Sequence, residues 1–344
     1  MTLTEAADFT KKGMIVSVIT LIVGFTAWGA WHYYYNYIYL PGLPVVLEQP
    51  TVVFGPLPEI AFPESASVSS NFSYKLDTET GALPTDTPRL FKVYSVAQLA
   101  TDLLALDRAK SLAGSLDFNR TPQAISATQY KFIDDKSGGE LIVDLDTGNF
   151  KFRRNAATGS GESYERIEEF IDEETQGITL RSYLSSKGLL KDQLRSGKTT
   201  ALYNNPIKKD STLVTVNLWQ ESIEDYPIVT PKFREGLIKA VGNNNRNGDH
   251  KYILLDYIFW PIDLENFGTY PIKKADAAFE ELKSGSGFVA VEPRTSSASI
   301  TKVYLAYYLA EEFSNYLQPV YVFEGPEFVG FVPAVADEYV SQQN

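Results

Sequence analysis

The chain has 344 residues, 31 Lys+Arg against 43 Asp+Glu, a formal net charge of -12, no cysteine and two histidines. Lack of cysteine excludes a disulfide framework, an iron–sulfur cluster, a thiol nucleophile and a cysteine zinc site, and having only His32 and His250, far apart in sequence, argues against a multi-histidine metal centre. The acidity argues against a nucleic-acid binder, whose affinity rests on clustered Lys and Arg, while 44% hydrophobic and 22% charged residues describe a folded chain.

Residues 14–31 (MIVSVITLIVGFTAWGAW) carry no charge. As a helix they span about 27 Å, close to the hydrocarbon thickness of a bilayer. Ser17, Thr20 and Thr26 are tolerable there because each hydroxyl can bond back to the preceding turn. At and beyond the end of this stretch come Trp28, Trp31, Tyr33, Tyr34, Tyr35, Tyr37 and Tyr39, an aromatic belt of the kind that sits at a membrane interface. Lys11 and Lys12 flank the other end, so the positive-inside rule places residues 1–12 in the cytoplasm and the rest of the chain outside the plasma membrane. A cleaved signal peptide would need a shorter apolar region and small residues at the cleavage site, and bulky aromatics crowd residues 27–30. The expectation is a retained single-pass anchor over residues 13–40.

Residues 41–89 open with six prolines, at 41, 44, 50, 56, 58 and 63. That density forbids helix and favours extended backbone. The apolar residues 45–47 and 52–54 suggest that the segment lies against the folded part as an edge strand. A further strand is expected at 72–76. From residue 96 a helical stripe begins, Leu99, Leu103, Leu104, Leu106 and Leu112, stopping near Gly114. Strands at 130–133, 140–145 and 149–153 follow, separated by polar, Gly-containing turns of hairpin type.

The Gly- and Ser-rich residues 156–161 read as a linker, after which helix and strands recur. Helices are expected at 164–171, 178–186 and 274–283, and strands at 200–203, 213–219, 237–241, 251–261, 288–291, 319–324 and 328–335. Residues 301–308 nearly alternate and read as strand, with a helix through Leu317 as the alternative. Helices each followed by strands at hairpin spacing indicate an α+β fold with tandem helix-plus-antiparallel-sheet domains.

Residues 141–148 (LIVDLDTG), closing a helix–LDF–three-strand unit, resemble a PepSY-like module, assigned to residues 90–155. Residues 162–344 are similar to the exterior domains of the YycI/YycH regulatory proteins of bacterial sensor-kinase systems. The features that carry this are Tyr270-Pro271-Ile272, the Ala-rich helix with Glu280-Glu281-Leu282, ITKVYLAYY at 300–308 and LQPVYVF at 317–323. The resemblance implies a short cytoplasmic N-terminus, one membrane helix, tandem α+β exterior domains and a non-catalytic role through contacts with envelope or membrane partners.

Several motifs hold residues of types that carry chemistry. Asp146-Thr147-Gly148 resembles an aspartic-protease half-site, but such enzymes need two carboxylates sharing a proton and no second copy occurs, so a hairpin turn is the expected role. Asp144, Asp146 and Asn149 do not fit a calcium loop, because Asn149 and Asn155 stand where Gly and Glu are required. The 243–249 loop (NNNRNGD) is read as solvated. Gly197-Lys198-Thr199 lacks the first glycine of a phosphate loop, Asp192 occupying that place. Ser299 and Lys302 match the Ser-x-x-Lys pattern of acyl-transfer enzymes, without the companion Lys-Thr-Gly motif downstream; they are the alternative for a hydrolase or acyltransferase. Asn71-Phe72-Ser73 is a glycosylation sequon by pattern alone. Tyr304, Tyr307, Tyr308, Tyr316 and Tyr321 form either core or an exposed binding patch. The expected function is therefore a membrane-anchored extracytoplasmic binding or regulatory protein of the bacterial envelope. No cofactor and no nucleic acid are expected, and a structural subunit of an envelope complex is the second alternative.

Overall fold

The structure, a computed structural model, describes residues 3–39, 48–64, 68–98, 102–135, 138–154, 169–245 and 251–341. Leu99, the apolar residues 45–47, the 156–161 linker, the start of the helix expected at 164–171 and most of the 243–249 loop lie outside them. The chain divides into two compact units, Met1–Gln49 and Pro50–Asn344.

In the first unit, helix α1 (Leu3–Tyr34) runs into a π-helical turn at Tyr35–Tyr39. Thr10–Tyr39 is long and apolar enough to cross a membrane, with mean hydropathy 1.9 over its most apolar window and none of that window buried against protein. The hydroxyls of Ser17, Thr20 and Thr26 donate to the carbonyls of Gly13, Val16 and Ile22 at 3.0, 2.9 and 2.9 Å. These bonds keep the three hydroxyls satisfied within the helix, as hydrocarbon surroundings would demand. All seven aromatic residues of the belt are exposed, with Tyr33 stacked on Tyr37 and Tyr35 on Tyr39.

In the second unit, a strap with the short strand β1 (Leu57–Pro58) leads into β2 (Ser73–Leu76) and β3 (Leu90–Val96). Next come helix α2 (Ala105–Ser115) and the strands β4 (Gln123–Ala124), β5 (Gln129–Ile133), β6 (Glu140–Asp144) and β7 (Phe150–Arg153). The order then repeats as helix α3 (Glu173–Ser186), β8 (Thr199–Tyr203), β9 (Leu213–Leu218), β10 (Ile228–Val229), β11 (Ile238–Asn243) and β12 (Tyr252–Tyr257). The remainder is β13 (Ile262–Pro271), helix α4 (Ala275–Ser284), β14 (Phe288–Val291), β15 (Ser297–Ile300), β16 (Lys302–Tyr308), β17 (Tyr316–Glu324), β18 (Val329–Pro333) and β19 (Val340–Ser341). Of the expected 301–308 strand, residues 302–308 thus form β16, and the fold is α+β, an apolar N-terminal helix followed by a sheet-rich unit.

Local chemistry explains the helix limits. The Asp172 carboxylate accepts from the Thr175 backbone N–H at 2.7 Å, capping α3, and Glu173 and Glu174 fill its first turn where the helix dipole favours negative charge. Gly285, at φ 105°, ends α4 in the left-handed conformation that a side chain disfavours. Residues 169–171, expected to be helical, are irregular, and Phe170 is buried at 2% exposure beside the α3 core.

The first sheet is an eight-stranded antiparallel layer in the order β4-β5-β6-β7-β12-β11-β9-β8. The last strands of the two helix-plus-strand repeats meet in its middle, with Asp256 opposite Lys151 and Leu255 opposite Phe152. Phe132, Leu141, Phe152, Val216, Ala240 and Leu255, fully buried on one face, pack against Ala113 of α2 and Leu180 and Leu184 of α3. Because side chains alternate along a strand, the intervening residues form the opposite face.

The second sheet runs β10-β16-β17-β18-β14, with β3 bridging the start of β17 to β13. Ala278 and Leu282 of α4 pack on one face with Tyr321, Phe323 and Val332. The other face holds Val320, Val322, Tyr308 and Phe331, with Ile60 and Phe62 of the strap packed against it. The domain division expected at 156–161 is therefore corrected. Residues 105–154 and 173–257, apart from β10, share one sheet because β7 pairs with β12, and 90–96 belongs with 262–333 because β3 pairs with β13.

This packing also corrects the tyrosine patch. Tyr307, Tyr308 and Tyr321 are 2%, 5% and 0% exposed, since both faces of the second sheet are covered. Tyr304 is half-buried, its hydroxyl donating to Glu324 Oε2 at 2.9 Å, and Tyr316 lies half-buried under Phe54 of the strap, ring centroids 4.8 Å apart. Burial pushes the phenols of Tyr257, Tyr304, Tyr307, Tyr308 and Tyr321 upward, and that of Tyr74 up to about 12. A phenol whose value is raised by folding favours the fold fully below its ordinary value near 10, and that contribution is lost as pH rises through the folded value. For Tyr74 the window is about pH 10 to 12. The test is the phenolate absorbance of the full chain in detergent micelles as pH is raised past the ordinary phenol value near 10. The buried class should appear above that, together with loss of folded circular dichroism. A single titration near pH 10 with the fold intact would contradict the burial.

Candidate functional site

A concave site of about 360 Å³ lies on the helix-free face of the eight-stranded sheet, across the β7–β12 seam. Its floor is a row of residues in register on four strands: Ile142, Lys151, Asp256 and Lys239. Asp144, Asn149 and Arg153 extend the floor within the first repeat. The loop from Lys232 to Leu237, with Ile258 and Glu311, lines the remainder. Four cations and four carboxylates line the site, so it is electrically balanced within a chain of net charge -12.

Much of this charge is already engaged. Lys239 Nζ donates to Glu235 Oε2 at 3.0 Å, and Lys232 Nζ lies 3.1 Å from Glu311 Oε1. The Glu311 carboxylate beside Lys232 holds its ammonium above the ordinary value, with weaker help from Glu235 and Asp256. Asp144 Oδ1 accepts from the backbone N–H groups of Asp146 and Thr147 at 3.0 and 3.1 Å and from the Thr147 hydroxyl at 3.1 Å. Gly148 completes this turn at φ 70°, so Asp146-Thr147-Gly148 is the β6–β7 hairpin connection. Asn149 Oδ1 accepts from the Phe259 N–H at 2.9 Å, tying the turn to the crossing between the two sheets. Among the described residues, Lys151, Arg153 and Asp256 make no ion pair or side-chain hydrogen bond.

A second cavity, about 430 Å³, lies beneath the strap and is lined by Pro58, Ile60, Phe62, Lys273, Glu281 and Asp337, among others. There Lys273, with a side chain only 10% exposed, is committed to Glu281 and Asp337, each at 2.8 Å. Its cation is saturated, so the seam site is the better candidate for a ligand.

The Ser-x-x-Lys motif and the sequon fall elsewhere. Ser299 lies on β15 and Lys302 begins β16; the Ser299 hydroxyl donates instead to Asp77 Oδ2 at 2.7 Å. Lys75 and Ser299 together hold the Asp77 carboxyl below its ordinary value, Lys75 first, and such a carboxylate is a poor base for activating a hydroxyl. The Asn71 sequon is exposed beside β2. Nothing in the sequence grouped Lys151 with Asp256 and Lys239, because register rather than spacing unites them. The available signal was the charged outward-facing residue on each expected strand.

Gly197 has a packing role. A Cβ there would collide with the Trp219 carbonyl oxygen, and Lys198 Nζ lies 5.4 Å from the centre of the Trp219 ring. Gly197→Ala should lower stability by roughly 1–3 kcal/mol through overpacking, read as a lower denaturant midpoint. Lys198→Gln should cost no more than about 1 kcal/mol, the scale of an exposed cation–π contact. Equal losses for both would contradict this division.

No protein-family model and no curated protein matches the chain. Among solved structures it is similar to an uncharacterized protein from Eubacterium rectale ATCC 33656, at 11% identity and a TM-score of 0.39, over 71% of this chain and 83% of that one. At that level the likeness bears on neither fold nor function.

Proposed function

We propose that the chain is a single-pass, membrane-anchored binding or regulatory protein without catalytic activity. Residues 1–12 lie in the cytoplasm, and the unit from Pro50 onward acts outside through contacts with a ligand or an envelope partner. The observation that carries the reading is the helix over Thr10–Tyr39, apolar throughout its central stretch and with none of it buried against protein. Exposing that much apolar surface to water is unfavourable by about 25 cal/mol per Å², whereas lipid accepts it, and Lys11, Lys12 and the aromatic belt supply the two boundaries. The seam site supports the binding half of the reading. Lys151, Arg153, Asp256 and Lys239 are held on adjacent strands of one sheet, which fixes their spacing. The regulatory half rests on the YycI/YycH-like sequence features.

Three outcomes test this proposal. The full chain should stay with membranes after alkaline carbonate washing. Protease added to intact cells should remove an epitope placed after residue 341 and spare one placed before residue 3. In-cell crosslinking followed by mild extraction should recover a defined membrane or envelope protein or a bound small molecule. Release by carbonate, or a mature chain lacking residues 1–30, would overturn the anchor, and a reversed protection pattern would overturn the topology. A monomer recovered with nothing attached would overturn the binding role.

A further inference from the structure

The chemistry of the seam site defines its ligand more narrowly, on the reading that the second unit binds one. Residues directly opposite on adjacent antiparallel strands have Cβ atoms about 4.5–5.5 Å apart. Asp256 of β12 is opposite Lys151 of β7 and Lys239 of β11, so its carboxylate side chain stands between two ammonium-bearing side chains in one row. Lys239 is engaged by Glu235, Lys232 by Glu311, and Asp144 by its own turn. This leaves Lys151, Arg153 and Asp256 as groups without an ion pair or side-chain hydrogen bond among the described residues. Lys151 and Arg153 are two apart on β7 and share a face, while Asp256 adjoins Lys151 on the next strand.

A purely anionic ligand would use Lys151 and Arg153 but place its charge beside Asp256. A purely cationic one would meet Asp256 but also the two unengaged cations. A ligand carrying one carboxylate and one ammonium separated by a few bonds satisfies all three groups. Ile142, Leu237 and Ile258 line the same cavity and suit an aliphatic side chain. The volume of about 360 Å³ lies at the small-molecule end of the usual pocket range.

We infer that the seam site takes a zwitterionic ligand of the amino-acid or short-peptide class, its carboxylate on Lys151 and Arg153 and its ammonium on Asp256. Free amino acids and peptides share this chemistry, and their relative affinities identify the source.

The test is calorimetric titration of the full chain in detergent micelles with leucine, Gly-Leu, N-acetyl-Gly-Leu and Gly-Leu-amide. Gly-Leu or leucine should bind, the tighter of the two naming the source. If it is Gly-Leu, blocking either terminus should weaken binding about tenfold or more, the scale of one charge-assisted hydrogen bond. Lys151→Gln should erase the difference between Gly-Leu and its amide while keeping that between Gly-Leu and its acetyl form. Asp256→Asn should do the reverse. Because each variant retains discrimination at one terminus, misfolding cannot imitate the pattern. If leucine binds more tightly, its N-acetyl and amide forms replace the blocked peptides. Absence of binding by all four compounds, or binding by a blocked form as tight as the free one, would overturn the inference. Neither result touches the anchoring proposal, which carbonate washing and protease protection decide independently.

Discussion

The pairing of β7 with β12 is the constraint on which the second unit depends. Each repeat contributes one helix and four strands to the first sheet and ends on a strand whose outer edge would otherwise present unpaired N–H and C=O groups, a liability for aggregation. Placing Lys151 opposite Asp256 and Phe152 opposite Leu255 closes both edges at once. It also joins two modest cores into one, running from Ala113 through Phe152 and Leu255 to Leu184. Immediately after β7 the buried Arg154 reinforces the junction. Its backbone N–H donates to Ile253 at 2.7 Å, and its guanidinium lies over the rings of Phe118 and Phe152 at 5.0 and 4.9 Å. The guanidinium also donates to the Leu116 and Tyr252 carbonyls, one from each repeat. Since α2 and α3 both cover one face, the seam leaves its other face free of helices, and that is where charged residues from both repeats meet.

What was legible in the sequence was whatever lies within one local period. The β6–β7 hairpin was visible because Asp146-Thr147-Gly148 has only one economical backbone solution between two apolar runs, and α4 because its stripe ends on glycine. The N-terminal apolar helix was visible because it holds eighteen consecutive uncharged residues. β13 was not visible, because Asp263, Glu265 and Asn266 are polar, Leu264 among them is exposed, and the register shifts between Asp263 and Phe267. Neither was the shared sheet, because a Gly- and Ser-rich stretch marks a change of direction as readily as a domain boundary. The tyrosines misled for a related reason. Tyr307 and Tyr308 point to opposite faces of β16, which ordinarily leaves one of them wet, yet the strap covers the second face with Phe62 at 4.8 Å from the Tyr308 ring. The seam site was illegible because Lys151 and Asp256 are separated by more than a hundred residues.

The strap shows how a proline-rich segment can be ordered without a regular ladder. Proline removes backbone donors, so side chains supply much of the bonding. The Tyr270 hydroxyl accepts from the Phe54 N–H and donates to the Gly55 carbonyl, both at 3.0 Å. Gln318 donates to the Pro58 carbonyl at 2.9 Å and Ser341 to that of Leu57 at 3.1 Å. Leu57 itself is fully buried with Val93, Tyr270 and Val335. The parallel pairing of β1 with β19 then joins the beginning of the unit to its final described strand. A strap held by side chains from β13, β17 and β19 is sensitive to the packing of all three.

Charge balance at the seam has a consequence at longer range. Around a chain of net charge -12, an approaching anion is repelled and a cation attracted over roughly a Debye length, about 8 Å at physiological ionic strength. A pure anion would therefore reach Lys151 and Arg153 against the field, while cations would be drawn to acidic surface anywhere on the molecule. A zwitterion carries no net charge and meets neither effect to first order. Its selection is left to the short-range arrangement of Lys151, Arg153 and Asp256, which only the paired repeats assemble. Specificity thus depends on the register of the seam rather than on the overall acidity of the chain.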